Sequence, residues 1–212
     1  MEYSPHIIIV DDDEEIRDSL DSFFRSKNFI VHLFSDPEEF LLFKIPDEPV
    51  CLLLDIKLGQ KNGLDLQDTI NEAGLHIPVI IMSGHGTIPL SVRGIKAGAI
   101  DFFTKPFSHN TLLKSVYEAL DLWKSQNKNI ELQKRIKNKY SSLSEREKEV
   151  MILATSGLMN KQIADRLNLS LISIKTHRAH AMKKMGARSF ADLVHYADIL
   201  EIRDPLIKRY NS

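Results

Sequence analysis

The sequence predicts two domains: a doubly wound α/β domain built on a five-stranded parallel sheet, then a smaller all-α helix-turn-helix domain. Three observations carry this. Up to about residue 120, short apolar runs alternate with segments of helical spacing, and each crossover is long enough for a βαβ unit. After residue 108 strand signals stop, and everything onward is helix or turn. The charge also reverses: residues 1–120 hold 10 Lys and Arg against 19 Asp and Glu, and residues 121–212 hold 18 against 10. The formal net charge of −1 therefore conceals an acidic module joined to one suited to a polyanion.

In chain order, strands are expected at 6–10, 29–34, 50–55, 78–83 and 99–104. Helices are expected at 13–26, 36–44, 63–73 and 87–97, with another starting after Phe107. The runs Ile7–Val10, Val50–Leu54 and Val79–Met82 are continuously apolar, as suits strands covered on both faces. Asp13, Glu14 and Glu15 favour the start of the first helix through its dipole. Cys51, the single cysteine, lies inside the third run and packs as a small hydrophobe, so no disulfide framework or thiolate cluster is expected. No stretch approaches the roughly 20 apolar residues of a membrane helix. The N-terminus lacks a positive n-region and a long apolar run, so the expectation is a cytoplasmic protein without membrane attachment.

Leu113, Val116, Leu120, Trp123, Asn127 and Ile130 keep roughly helical spacing, so the fifth helix can run on into the joint. From Lys124 to Lys139 the chain is basic and mostly polar, which suits an exposed helix and a flexible tether equally. The expected divisions are a first domain at 5–122, a linker at 123–140, a second domain at 141–204 and a tail at 205–212.

The polar residues at the carboxyl ends of the runs set the chemistry. Asp11 and Asp12 follow His6–Val10, Asp55 closes Val50–Leu54, Ser83 follows Pro78–Met82, and Lys105 comes just after Ala99–Phe103. In a parallel sheet those ends gather on one edge, where such folds bind ligands. A carboxylate accepts a phosphoryl group when a divalent cation neutralises the incoming oxygens. Magnesium prefers oxygen ligands, and Asp11 and Asp12 can supply them beside Asp55. Lys105 would set a positive charge on one phosphoryl oxygen and Ser83 a hydrogen bond on another, and a cis Lys105–Pro106 bond is expected. Taken singly, each acid reads equally well as a solvated loop residue or a helix cap.

The segments Val10-Asp11-Asp12, Leu54-Asp55, Met82-Ser83-Gly84 and Thr104-Lys105-Pro106-Phe107 resemble the receiver domain of bacterial two-component response regulators, over about residues 5–122. Gly84-His85-Gly86-Thr87 and Ala97-Gly98-Ala99-Ile100-Asp101-Phe102 resemble its NarL/FixJ branch. The resemblance implies a flavodoxin-like sheet, Asp55 as phosphoacceptor, and a magnesium ion held by Asp11, Asp12, Asp55 and the Lys57 backbone carbonyl. It makes Ser83 the switch hydroxyl and Lys105 the phosphate contact. Phe102 replaces a frequent tyrosine, so an aromatic switch would act without a hydroxyl. Gly59 replaces a frequent proline, which should loosen the acceptor loop. Lys57 and His85, two places beyond Asp55 and Ser83, are expected to tune phosphate lifetime.

In the basic half, Ser144-Glu145-Arg146-Glu147 is a capping-box start, and the helix it opens ends near Gly157. A second helix opens at Asn160; after Asn168-Leu169, Ser170 caps a third that stops at Gly186. Two helices joined this tightly form a helix-turn-helix whose second member can enter the major groove. By helical period Leu171, Ile174, Ala181 and Met185 form the core stripe of the third helix, and Ile172, Thr176, Ala179, His180 and Lys183 face away, flanked by Ser173 and Lys175. Arg178 lies nearer the core stripe, where it can pair with Glu145 or Glu147. His177 and His180 have metal-like spacing but no cysteine or acid nearby in sequence, and they are read as groove-facing.

Leu143-Ser144-Glu145-Arg146-Glu147, Asn160-Lys161-Gln162-Ile163-Ala164 and Ile174-Lys175-Thr176-His177-Arg178 resemble the LuxR-type DNA-binding domain over about 139–204. The resemblance implies four helices, the last near 189–200 and often used for dimer contacts. The DNA-contact candidates are Lys161, a phosphate contact, with Ser173, Lys175, Thr176, His177, Ala179, His180 and Lys183. The expected function is a transcriptional response regulator, not an enzyme, phosphorylated by a sensor histidine kinase and dimerising on double-stranded DNA, with RNA polymerase as a further partner. Two rivals are a phosphorylation-independent transcription factor with a degenerate receiver, and a haloacid-dehalogenase-like phosphatase with Asp11 as nucleophile and Asp13 as general acid.

Overall fold

The computed structural model describes residues 4–84, 86–205 and 207, which divide into two compact units, 1–127 and 128–212. In the first, the apolar runs become strands β1 (His6–Val10), β2 (Ile30–Phe34) and β3 (Val50–Asp55). A two-stranded hairpin follows, β4 (Lys57–Leu58) with β5 (Lys61–Asn62), then β6 (Val79–Ser83) and β7 (Asp101–Thr104). All five long strands are parallel, in the order β2-β1-β3-β6-β7. The order reverses beside β1, so a crevice opens at the carboxyl ends of β1 and β3. Every residue of β1, β3 and β6 is buried, as the unbroken apolar runs require.

The helices α1 (Glu14–Arg25), α2 (Pro37–Leu42), α3 (Gly63–Glu72), α4 (Ile88–Lys96) and the start of α5 (His109–Ser141) cover both faces. One face buries Ile8, Leu52, Leu54, Ile70 and Ile81, and the other Ile7, Leu20, Phe24, Leu53 and Val116. Each such side chain contributes about 1.5–3 kcal/mol by leaving water. Caps start the helices where the sequence supplies them: Asp13 accepts from the Glu15 and Ile16 amides, and Asp36 from the Glu38 amide.

At the opposite end of the sheet His6, His32 and Glu48 form a chain. His6 Nδ1 lies 2.9 Å from His32 Nε2, and His6 Nε2 lies 3.0 Å from Glu48 Oε2. Burial, then the charges of His6 and Arg25, holds His32 below its ordinary value of 6.5. The unfolded chain therefore takes up a proton at His32 before the folded one does. This contribution is complete above the ordinary value and lost as the pH falls below it. The expected result is a thermal midpoint that declines between about pH 7 and about pH 5.5, with a shallower decline in His32→Gln. An identical slope in the variant would sink the assignment.

The second unit holds the end of α5, then α6 (Glu145–Thr155), α7 (Asn160–Leu167), α8 (Leu171–Met185) and α9 (Phe190–Ile199). Of the tail, Pro205 and Ile207 are among the described residues. Ile136 of α5 is 2 % exposed in a core shared with Leu143, Met151, Ala181, Met185 and Leu193, and Leu132 and Tyr140 pack against it. Lys139 Nζ donates to the Met185 carbonyl at 3.0 Å, capping the end of α8. Leu132, Ile136 and Tyr140 thus form a stripe at spacings of four that faces this core.

Candidate functional site

The crevice at the carboxyl edge gathers the predicted acids. Register pairs Val10 with Leu54, so Asp11 and Asp55 emerge side by side. Carboxylate oxygens of Asp11, Asp12 and Asp55 all lie within 4.8 Å of one another. Lys105 Nζ reaches between two of them, 2.6 Å from Asp11 Oδ2 and 3.0 Å from Asp55 Oδ1. Ser83, 4 % exposed, ends β6, and its carbonyl accepts from the Lys105 amide at 2.8 Å, which ties the hydroxyl and the ammonium to one edge. The Lys105–Pro106 bond is cis, as expected. Asp12, Asp55, Ser83 and Lys105 border an open cleft of about 640 Å³, so nearly buried Asp55 still faces an entry route.

Backbone amides fix the acids. The Lys57 amide donates to Asp55 Oδ2 at 3.0 Å and the Asp13 amide to Asp11 Oδ1 at 3.1 Å. Asp55 Oδ1 is buried with the Lys105 ammonium beside it, yet no hydrogen bond of good geometry reaches it from the described residues. Burial pushes the Asp11 and Asp55 carboxyls above their ordinary value, against the opposing pull of Lys105. For Lys105 burial acts downward, but its pairing with the Asp11 and Asp55 carboxylates leaves it above its ordinary value. The donor set suits a hard divalent cation: three carboxylates converge, and only the Lys105 ammonium stands beside the buried Asp55 Oδ1.

The surroundings differ from expectation at several points. Gly59 does not simply loosen the acceptor loop. It adopts φ +62° and donates its amide to Asp12 Oδ2 at 2.9 Å, a conformation and a bond closed to proline. Phe102 is half-buried beside the core under α3 and α4, and Lys57 is exposed at the cleft. His85 lies outside the described residues. Asp13 lines the cleft but is engaged as the cap of α1, which leaves the phosphatase reading without its general acid. Gly63, not singled out from sequence, presses against the Asp55 carbonyl: a Cβ there would overlap the backbone at the end of β3.

In the second unit α7 and α8 are joined by Asn168 in the left-handed conformation, φ 52°, followed by Leu169 and the cap Ser170. The capping box of α6 is complete: the Glu147 amide donates to Ser144 Oγ at 3.3 Å, and the Ser144 amide to Glu147 Oε2 at 2.8 Å. Arg178 pairs with neither Glu145 nor Glu147. Its Nη1 donates to Asn160 Oδ1 at 3.0 Å, and its guanidinium lies over Phe190, 4.1 Å from the ring centroid. Glu147 instead accepts from Lys184 at 2.6 Å, because the start of α6 faces the last turns of α8. That bond, then the Ser144 amide, holds the Glu147 carboxyl below its ordinary value. His180 Nδ1 stands 3.7 Å from the same carboxylate.

Ile174, Ala181 and Met185 are buried as predicted, but Leu171 is 44 % exposed, because the first turn of α8 is not covered. Ile172, Lys175, Thr176, Ala179, His180 and Lys183 are exposed, Ser173 and His177 are half-buried, and Lys161 is exposed on α7.

Residues 7–117 match the response regulator receiver domain, and residues 141–197 match the bacterial regulatory proteins of the luxR family. Nodulation protein W of Bradyrhizobium diazoefficiens is 41 % identical over 92 % of this chain and 86 % of its own length. Transcriptional regulatory protein FixJ of Rhizobium meliloti is 33 % identical over 92 % of this chain and 95 % of its own. Among solved structures, that of the response regulator StyR is 37 % identical, with a TM-score of 0.82 over 92 % of this chain and 99 % of that one. Full-length FixJ from B. japonicum is 33 % identical, with a TM-score of 0.55 over 94 % of this chain and 98 % of that one. A receiver unit and a LuxR-type helix-turn-helix unit in one chain, with relatives alike over nearly its whole length, make this chain a member of the NarL/FixJ family of two-component response regulators, DNA-binding regulators of transcription.

Proposed function

We propose that Asp55 accepts a phosphoryl group from a phosphohistidine of a sensor kinase, and that the modified receiver promotes dimerisation on DNA. The observation that carries this is the convergence of Asp11, Asp12, Asp55 and Lys105 at one open cleft. An Asp55 carboxylate oxygen forms the new P–O bond as the P–N bond breaks, and the electron pair leaves with the imidazole nitrogen. Asp11, Asp12, Asp55 and the Lys57 carbonyl would hold a magnesium ion, which when bound neutralises charge on the phosphoryl oxygens. The Lys57 amide orients the Asp55 carboxylate, and Lys105 exchanges part of its pairing with Asp11 for a phosphoryl oxygen. Ser83 turns toward the added group and Phe102 follows. Lys57 at the cleft, and His85, set phosphate lifetime.

The phosphate adds about −1.5 to −2 charges if it behaves like other phosphates. A dimer then carries two α8 helices to half-sites about one DNA turn apart. Lys161 contacts phosphate, and Ser173, Lys175, Thr176, His177, Ala179, His180 and Lys183 face the groove. The setting is the cytoplasm, with RNA polymerase as the downstream partner.

Intact mass after exposure to acetyl phosphate tests the acceptor. One phosphoryl adduct that requires magnesium and vanishes in Asp55→Asn is the expected result. An adduct that persists in the variant would move the nucleophile to Asp11. No adduct even with a cognate kinase would mark the receiver as degenerate.

A further inference from the structure

Helix α8 carries no Asp or Glu among its fifteen residues, yet its exposed face is not uniformly polar. Ile172 is 77 % exposed, whereas Ile174 on the other side of the helix is fully buried. Thr176, one turn on, donates its hydroxyl to the Ile172 carbonyl at 3.0 Å. That bond commits the hydroxyl proton inside the helix, so Thr176 has no donor left for a ligand and presents its methyl beside an oxygen that can only accept. Ala179 follows at the next turn and is also exposed. Positions 172, 176 and 179 share one face of a helix, so the three form a continuous apolar stripe about 10 Å long. Lys175 flanks it on one side, and His180 and Lys183 border its far end, all three exposed.

A single exposed isoleucine needs no explanation, but an apolar stripe between Lys175 and Lys183, on a helix with no Asp or Glu of its own, does. The cations select a polyanion as occupant. In the major groove of B-DNA the apolar group on offer is the thymine C5 methyl, and threonine methyl and alanine are suitable partners for it. We propose that Ile172, Thr176 and Ala179 form a methyl-reading stripe, so that this regulator selects operators by thymine methyl groups over about three consecutive base pairs. The proposal rests on α8 lying in the major groove, and it names what α8 selects there. Lys161 and Lys175 supply affinity and orientation, while the stripe supplies sequence discrimination without a hydrogen bond.

The test enriches binding sites for the full chain, treated with acetyl phosphate and magnesium, from a random pool of duplexes. It then replaces each thymine of the enriched site in turn by deoxyuridine, which removes the methyl and keeps every base-pair hydrogen bond. The expected result is a site with at least one thymine per half whose replacement weakens binding about fourfold per methyl. Ile172→Ala should weaken binding to the thymine duplex by a similar factor and show no further loss with deoxyuridine at the matching position, the signature of a shared contact. Thr176→Ser keeps the bond to the Ile172 carbonyl and loses the methyl, so it should blunt discrimination at the adjacent position without loss of fold. Equal affinity for thymine and deoxyuridine at every position would overturn the proposal, as would an undiminished deoxyuridine penalty in both variants. Failure to enrich any sequence would overturn major-groove reading by α8 itself, and the stripe with it.

Discussion

Replacing Lys105 by methionine should cost the receiver unit about 3–5 kcal/mol at neutral pH, because it leaves two buried carboxylates facing each other without their shared cation. Asp11 is wholly buried, Asp55 nearly so, and the ammonium stands 2.6 and 3.0 Å from them. Burial already holds both carboxyls above their ordinary value of 3.8 with the lysine in place, and its removal raises them further. For a group raised by folding, the stabilising contribution is complete below the unfolded value and lost as the pH rises through the folded one. The variant should therefore recover stability as the pH falls from about 7 toward about 4.5, opposite in sign to the effect of His32. Urea midpoints at several pH values measure this, and millimolar magnesium should restore part of the loss at neutral pH. A variant as stable as the parent, with an unchanged pH profile, would show that the ammonium does not balance the pair.

Gly63→Ala should damage both fold and phosphorylation. Its Cβ would overlap the Asp55 carbonyl and stand 3.1 Å from Ile56 Cα, while the Gly63 amide already donates to the Ile56 carbonyl at 2.7 Å. The obstacle is backbone, so relief requires the junction of β3 and α3 to part. Overpacking of this kind costs about 1–3 kcal/mol or more, and a displacement of about 1 Å at the acceptor can slow transfer by about a hundredfold. The rate of acyl phosphate formation and the thermal midpoint should fall together. Gly74→Ala is the control: its φ is +65° with open space around it, so it should lose about 1 kcal/mol and leave phosphorylation intact. Equal phosphorylation rates in the two variants would rule out Gly63 as the support of the acceptor strand.

The sheet could be read before the structure because strands covered on both faces leave unbroken apolar runs, and the residues that end those runs mark the edge. Asp11, Asp55 and Ser83 follow from that one rule, and Lys105 from the weaker run before it, which Asp101 interrupts on a half-buried strand. The β4–β5 hairpin left no trace, since two-residue strands are too short to show a period. Gly63 was invisible for a different reason: a close backbone approach across seven residues leaves no pattern in hydropathy. In the helical unit, helical period sorted the inner from the outer face of α8 correctly, Leu171 in its uncovered first turn excepted. It could not choose partners. That Glu147 meets Lys184, while Arg178 turns to Asn160 and Phe190, depends on how α6, α7 and α9 pack around α8.

The last turns of α5 bear on how such proteins exchange parts. Ile136 fills the core beneath α8, and Lys139 closes its final carbonyls. A crossover between two genes just ahead of α6 would part α8 from both, leaving the new chain's helical unit with an open apolar seam and a frayed end to α8. A heritable output cassette must instead begin upstream of Leu132. The stretch that seems a spacer is, in its packing, part of the core that holds α8 in place.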